Sequence, residues 1–279
     1  MTAADIIVPV ERTPRSLRAI APARALAEQT GRGIHLLTVI PTESSDEDRR
    51  RELGQEARDH GIEPSRISVI KADLNTVPVG AEEGALWGAI AEAPDALICM
   101  ATHARGAVGD MLLGSVATDV LNRAGRPVIL TGPRLNADWA GPIRTLVVCL
   151  DGSPLSEAII PPAAELARDT GAELFLVQAQ EPDVHASALS ADTTESGYVQ
   201  RIARQIQKDY GLQANWDVLH GTRPARAISE YVAAMPGAMV CMTTHGRTGL
   251  GKLAFGSVAR DVIHDVHCPV LAYRPTQTG

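Results

Sequence analysis

Short, continuous runs of apolar residues alternate along the chain with longer segments of helical periodicity. Apolar runs without polar alternation are typical of parallel strands, which are buried on both faces of a sheet. In the first half, the predicted strands cover residues 6–10, 34–40, 67–72, 96–101 and 127–131. The predicted helices between them cover residues 15–28, 45–60, 82–92 and 113–124. We expect the highly charged second helix to present a solvated face.

The second half has the same order of elements. Its predicted strands cover residues 145–150, 174–179, 215–219, 238–242 and 270–273. Its predicted helices cover residues 154–169, 197–210, 223–234 and 258–266. Residues 181–196 lack periodicity, so we expect a mobile loop there. Each half is therefore predicted to be a doubly wound, Rossmann-like α/β domain, with a five-stranded parallel sheet flanked by helices.

A repeat with a constant offset of 142 residues supports two domains. Gly114-Ser115 recurs as Gly256-Ser257, and Pro127 recurs as Pro269. A constant offset across several elements indicates a duplicated domain, and the period is too long for a solenoid, whose repeats span about 20–50 residues. We expect a first domain at 1–131, a linker at 132–143 and a second domain at 144–279. The linker segment has two prolines and two glycines in twelve residues, which interrupt any periodicity.

The most informative copy of the repeat runs from Thr243 to Val258, after an apolar strand. Its glycines let the backbone approach a ligand closely, and the free N–H groups of the following helix attract anions. Ser257, at the helix start, can cap the helix or donate its hydroxyl to a phosphate oxygen. Ligands of such sheets bind beyond the carboxyl ends of the strands, where the strand order reverses. The segment is therefore a predicted anion cradle.

Composition narrows the function classes. The 279 residues are 45% hydrophobic and 3% aromatic, which supports a large aliphatic core. The net charge of −7, from 26 basic and 33 acidic residues, argues against general binding to nucleic acid or anionic membranes. The sequence has no apolar span of about 20 residues, and we expect no signal peptide. Four cysteines without a C-x-x-C pair are expected to be reduced and mostly buried, in a cytoplasmic protein.

Other kinds of site have weaker support in the sequence. Gly246, Gly251 and Lys252 fit most of the Walker A pattern G-x4-G-K-[S/T], but Leu253 lacks the hydroxyl that would bind magnesium. His103 and its counterpart in the second half stand between strand and loop, where a loop-fixing hydrogen bond is the simplest role. We expect no catalytic residue, because the serines of the cradle have no evident base, and no protein-bound metal.

These motifs together resemble tandem members of the universal stress protein family, across nearly all of both halves. Nucleotide-binding members of that family carry G-x2-G-x9-G-[S/T] after the fourth strand and Asp at the end of the first. In the second half the pattern falls on Thr243, Gly246, Gly256 and Ser257, with Asp151 as the acid; only the first glycine differs. In the first half it falls on Ala101, Ala104, Gly114 and Ser115, with Glu11 as the acid, so two glycines are lost.

The resemblance implies a fold like that of adenine nucleotide α-hydrolases, and ATP as the ligand, with magnesium only as its companion. In the second domain, the residues that it implies for binding are Asp151, Ala179, Thr243, Gly246, Arg247, Gly249, Gly256, Ser257 and Val258. In the first domain, a weaker site is implied at Glu11, Val39, Ala101, Ala104, Gly114, Ser115 and Val116. The adenine would meet the backbone near Ala179 or Val39, and the phosphates would meet the glycine loop.

The function that follows is an ATP-binding regulatory protein of the stress response, with the nucleotide held mainly by the second domain. Two alternatives stay open: a scaffold that binds proteins and no nucleotide, and a slow ATPase on the same fold. An efficient enzyme is not expected. The expected partners are an adenine nucleotide and an unidentified regulatory protein. Exposed sheet edges also invite pairing, so the fifth strands could join the two halves of the chain or two chains of a homodimer.

Overall fold

The computed structural model describes residues 5–73, 81–102, 114–136, 139–180, 188–245 and 255–275. The first five strands are β1 (Ile6–Pro9), β2 (Ile34–Pro41), β3 (Arg66–Ala72), β4 (Leu97–Ala101) and β5 (Val128–Thr131). The next five are β6 (Thr145–Leu150), β7 (Glu173–Gln180), β8 (Ala214–His220), β9 (Ala238–Thr243) and β10 (Val270–Tyr273). Each apolar run that predicted a strand therefore contains one.

Helices connect the strands in both halves. In the first half they are α1 (Ile20–Thr30), α2 (Asp46–Asp59), α3 (Ala81–Ala91) and α4 (Ser115–Ala124), with a 3-10 helix at Ser16–Ala19. In the second half they are α5 (Pro154–Glu157), α6 (Ile160–Thr170), α7 (Ala188–Tyr210), α8 (Pro224–Ala233) and α9 (Ser257–Asp265). Helices α1 and α6 both end at a left-handed glycine, Gly31 and Gly171, whose positive φ closes the last turn at no steric cost.

The ten strands form one sheet, in the order β3-β2-β1-β4-β5-β10-β9-β6-β7-β8. Within each half all pairs are parallel, as the apolar runs predicted. The strand order reverses between β1 and β4 in the first half, and between β6 and β9 in the second. In doubly wound sheets, ligands bind at such reversals, beyond the carboxyl ends of the strands.

Two layers of helices bury the two faces of the sheet. On one face, α1, α2, α6 and α7 pack through aliphatic residues such as Leu26, Leu53 and Leu166. On the other, α3, α4, α8 and α9 pack through residues such as Ile90, Val120 and Val262. The second layer holds both helices whose N-termini follow the repeated glycine segments.

The two halves are joined where β5 pairs with β10, the one antiparallel pair among the described strands. Ile129 pairs with Leu271, its own equivalent 142 residues further on. A residue can face its own copy only if the halves are related by an approximate two-fold axis. Of the two pairings that the sequence left open, the fifth strands form the one between the halves of the chain. Because these edges are paired within the chain, the sheet edges left for another chain are β3 and β8.

A second contact between the halves lies on the first helical layer, where α1 meets α6. The Gln29 amide donates to the carbonyl oxygens of Ile143 and Thr170 at 2.9 and 3.0 Å, and accepts from the Ile143 N–H at 2.8 Å. Arg32 pairs with Asp169 at 3.2 Å. The helix pair α1–α6 thus adds a second region of contact between the halves to the shared sheet.

Two local expectations were wrong. Helix α7 begins at Ala188, so only 181–187 of the predicted loop lie outside the described residues, and the rest is helical. The single helix expected over 154–169 is split into α5 and α6. The charged helix α2 has the solvated face that was expected, because most of its charged residues are exposed, but Arg49 on its other face is 0% exposed.

Candidate functional site

The same hydrogen bonds close the repeated loop in both halves. The Gly256 N–H donates to the Thr244 carbonyl at 2.7 Å, and the Gly114 N–H donates to the Thr102 carbonyl at 2.7 Å. Each threonine is in turn tied to the neighbouring last strand of its half by its own N–H, at 2.9 and 3.0 Å. The start of α9 and the start of α4 are therefore fixed against the carboxyl end of β9 and of β4. The strand end and the helix N-terminus on either side of each loop therefore lie close together.

Polar side chains hold the strand end before the second-half loop. The Thr243 hydroxyl donates to the His245 carbonyl at 2.7 Å, and the Thr244 hydroxyl bonds His245 Nδ1 at 3.0 Å. All three residues are buried. These contacts fit the loop-fixing role that the sequence suggested for this histidine. Its counterpart His103 lies outside the described residues.

Asp151 lies directly after β6, at the strand reversal. Hydrogen bonds from Ser153 hold its side chain in place. Its Oδ1 accepts from the Ser153 N–H at 2.9 Å and from the Ser153 hydroxyl at 2.6 Å. Ser153 also caps α5, since its oxygen accepts from the Ser156 N–H at 3.1 Å, and Pro154 follows at the first helical position. The cap thus orients the carboxylate at the mouth of the site.

Tyr198 of α7 lies beside α5, the short helix that Ser153 caps. Its hydroxyl donates to Glu157 at 3.1 Å. Burial, and then the Glu157 charge, raise the pKa of this phenol, so it stays a neutral donor. Nothing in the sequence pointed to this residue, because it lies 41 positions from Glu157, near the start of the helix expected over 197–210.

In the first half, Glu11 holds the position of that aspartate, after β1. Its N–H donates to the Ser16 hydroxyl at 3.1 Å, in the same turn that forms around Asp151 and Ser156. Arg49 of α2 covers this strand end, and its guanidinium donates to the Glu11 carbonyl at 3.4 Å. The sequence did not single out this arginine, because it stands in a run of charged residues with six others, all of them exposed.

The first half has a cavity of about 180 Å³ at the strand reversal. It is bounded by the ends of β1, β2 and β4 and by the starts of α3 and α4. All the residues expected to form the weaker site that the structure describes line it: Glu11, Val39, Ala101, Gly114, Ser115 and Val116. Ala104 lies outside the described residues. The sequence thus located a group of residues that share one cavity.

The sequence analysis assigned no role to Glu83, which also lines this cavity. Glu83, on α3, accepts a hydrogen bond from the Ser115 hydroxyl at 2.7 Å, at the N-terminus of α4. The first-domain cradle is also tight, since a Cβ at Gly114 would lie 2.8 Å from the Thr102 carbonyl oxygen. At Gly256 the corresponding distance to the Thr244 oxygen is 3.4 Å, an ordinary contact. The two cradles therefore differ in shape and in charge.

The second half has a larger cavity of about 460 Å³ between the starts of α8 and α9. Ser257 and Val258 line it, and Val258 is 37% exposed. Arg223 and Arg226 of the α8 segment and Arg134 of the linker also reach it. The N-terminus of α9 is therefore open to solvent beside three arginine side chains, although acidic residues of α8 and α9 share the same wall.

The structure describes only some of the other residues expected at the second-domain site. Thr243 ends β9, and Ala179 lies near the end of β7, paired in register with Leu219. Gly246, Arg247 and Gly249, with Lys252, lie outside the described residues, so their expected phosphate contacts stay predictions. The part of the chain that the structure describes has no cluster of side chains suited to a metal ion.

The four cysteines are buried free thiols, as expected. Burial raises the pKa of each of them, to about 12 for Cys268. A thiol with so high a pKa is a poor nucleophile at neutral pH. The cysteines are therefore core residues, not site residues.

Comparison with known proteins agrees with the geometry. The family model for universal stress proteins matches residues 4–132 and, a second time, residues 142–274. The chain belongs to the universal stress protein family. It carries two domains of that family in tandem, and its fold is the α/β fold of adenine nucleotide α-hydrolase-like proteins. No helix among the described residues is long and apolar enough to cross a membrane.

Several relatives have the same family name. Universal stress proteins of Mycobacterium bovis and Mycobacterium tuberculosis are each 30% identical over 192 residues, which are 64% of this chain and 61% of theirs. The chain thus matches about three fifths of the length of these relatives. A universal stress protein structure from Archaeoglobus fulgidus has a TM-score of 0.67 at 18% identity, covering 99% of this chain and 100% of that one. A Pseudomonas aeruginosa protein of unknown function has a TM-score of 0.65 at 20% identity, covering 98% and 93%.

Proposed function

We propose that this universal stress protein binds ATP in its second domain and acts as a cytoplasmic regulator of the stress response. One observation carries the proposal: the Gly256 to Thr244 hydrogen bond brings the open N-terminus of α9 to the strand reversal where Asp151 stands. An N-terminus of this kind presents unpaired N–H groups and a positive dipole to phosphate. The family name of the relatives supports a role in stress.

The residues present suit the chemistry of ATP. Ser257 is exposed at the first position of α9, where its hydroxyl and the N–H groups of Ser257 and Val258 suit phosphate oxygens. Asp151 is half-buried and oriented by Ser153, so it suits the ribose hydroxyls. The adenine would meet the backbone near Ala179. Gly246, Arg247 and Gly249 would complete the phosphate loop, with magnesium as a companion of the phosphates.

Regulation is favoured over hydrolysis because the described site has no evident catalytic base. The carboxylate of Asp151 is engaged by Ser153, and His245 is buried and bonded to Thr244. A general base needs free access to the proton that it removes. The measurement that distinguishes a slow ATPase is phosphate release above the background of the Asp151→Asn variant.

The test of ATP binding is to identify what the purified protein carries. The full chain is denatured, and released nucleotides are identified by chromatography and mass spectrometry. ATP should be found, and Gly256→Val should carry much less, because its branched side chain would fill the space beside the α9 N-terminus. Gly246→Glu should have the same effect through charge.

The matched control is Gly197→Val. A Cβ at Gly197 in α7 would meet nothing within 4 Å, so this variant should fold and keep its nucleotide. Thermal unfolding of all variants shows whether they are folded. If wild-type protein carries no nucleotide and gains no stability from added ATP, the proposal is wrong and a scaffold that binds only proteins becomes the better function.

A further inference from the structure

In the first domain a side chain of the protein itself occupies the cradle. The Ser115 hydroxyl, at the first position of α4, donates to Glu83 Oε1 at 2.7 Å. This hydroxyl and the surrounding N–H groups are the donors that a phosphate would need. The carboxylate of Glu83 therefore takes an anion's position at the N-terminus of α4, where the helix dipole stabilises negative charge.

The charge of the first-domain cavity also disfavours a phosphate. Glu11 and Glu83 both line it, and none of the described lining residues is Lys or Arg. A phosphate at the N-terminus of α4 would meet the Glu83 carboxylate in a site partly shielded from solvent, where like charges repel more strongly than in water. The cavity has space, but its charge opposes a nucleotide.

The duplicated sequence supplies a natural comparison. The equivalent of Glu83, 142 residues further on, is Ala225. The alignment is supported by core positions of the same helices, since Leu86 and Ile228 are both buried on the same face of the sheet. Ala225 lines the second-domain cavity together with Ser257 and Val258. There the N-terminus of α9 has an alanine methyl in place of a carboxylate.

We propose that Glu83 is a specificity-determining residue that closes the first domain to phosphate-bearing ligands, and that Ala225 leaves the second domain open to them. This inference rests on the proposed ATP site of the second domain. It goes beyond the loss of loop glycines, because it assigns the asymmetry to one side chain of α3 that lies outside the glycine segment. It also predicts that removing the carboxylate from the first domain, or adding one to the second, changes the ability of that domain to bind phosphate.

The first experiment removes the carboxylate. Equilibrium dialysis with ATP is performed on the full-length chain, stripped of nucleotide, for wild type and Glu83→Ala. The variant should bind a second nucleotide per chain. The control Glu92→Ala, just beyond the same helix and exposed, changes the net charge equally and should bind as wild type does.

The second experiment installs the carboxylate in the other domain. Ala225→Glu should weaken ATP binding by at least about 100-fold, because a like charge beside a phosphate costs several kcal/mol. Ala233→Glu, exposed at the end of the same helix, is the matched control and should retain wild-type affinity. Thermal unfolding confirms that each variant folds.

The outcomes separate this inference from the proposed function. Wild type that binds ATP, with no gain in Glu83→Ala, overturns the inference and leaves the second-domain site intact. Wild type that already fills both domains also overturns it. If wild type binds nothing but Glu83→Ala does, the inference stands and the second-domain assignment fails. If neither binds, both are wrong.

Discussion

For a single polar residue, burial determines which partners the side chain contacts. His35 in β2 is 9% exposed, and its Nε2 is 2.9 Å from the Ser68 hydroxyl. Burial lowers the pKa of His35, and the nearby Arg66 lowers it further, while Asp5 acts in the opposite direction. The neutral imidazole is therefore the form that suits the folded state.

This gives a prediction about pH. In the unfolded chain His35 takes up a proton near its ordinary pKa of about 6.5, whereas in the fold it resists protonation. The unfolded state then binds more protons, so His35 should lower the free energy of unfolding as pH falls below about 6.5. Urea unfolding at pH 7.5 and 5.5 should show a smaller loss for His35→Gln than for wild type. The exposed His267→Asn should keep the wild-type loss, and an unchanged loss in His35→Gln would contradict the assignment.

At the scale of elements, helix α2 shows how one face of a charged helix can be buried. Its side chains are mostly charged, yet Arg49 has no exposure and contacts Glu52, Glu56 and the Glu11 carbonyl at 3.3–3.4 Å. On the opposite face, Arg51 is 71% exposed and pairs with acidic residues one turn earlier. The same residue type therefore has two roles on one helix.

Alanine substitutions should separate these roles. Arg49→Ala leaves a cavity and unpaired acceptors, so we expect a loss of roughly 2–3 kcal/mol, below the cost for a wholly buried pair because Glu52 and Glu56 are partly exposed. Arg51→Ala removes only exposed ion pairs and should cost less than about 0.5 kcal/mol. Urea unfolding of the two variants measures both. Equal losses would show that Arg49 is no more important than a surface arginine.

For the whole molecule, the approximate two-fold axis decides how the halves meet. The β5–β10 pair makes one sheet of ten strands, and residues just beyond these strands contact the other half. The Arg274 guanidinium donates to Asn122 of α4 at 2.7 Å. Its equivalent in the first half is Gly132, where a Cβ would lie 1.9 Å from the Ile263 carbonyl of α9. The approach of the first domain to α9 thus requires glycine at this place.

Gly132→Ala should therefore destabilise the protein. The obstacle is backbone and cannot rotate away, so a cost of roughly 2–3 kcal/mol is expected, which lowers the melting temperature by about 4–10 °C in a protein of this size. Gly88→Ala, in helix α3 with nothing within 4 Å, should instead raise stability slightly, by up to about 1 kcal/mol. Calorimetry of both variants checks the opposite signs. A neutral Gly132→Ala would mean that the halves can shift apart at no cost.

The alternation of strands and helices, the parallel pairing within each half and the duplication were predictable from the sequence, because apolar periodicity and a constant repeat offset can be read along the chain. It also located the residues that line the first-domain cavity, since strand ends and the loop before a helix are recognisable from their pattern. The three-dimensional fold was needed to show that Ile129 faces Leu271, that Arg49 is buried and that Glu83 bonds Ser115. Each of these contacts joins residues at least 32 positions apart. Such pairs depend on how helices pack across the sheet, which no local pattern specifies.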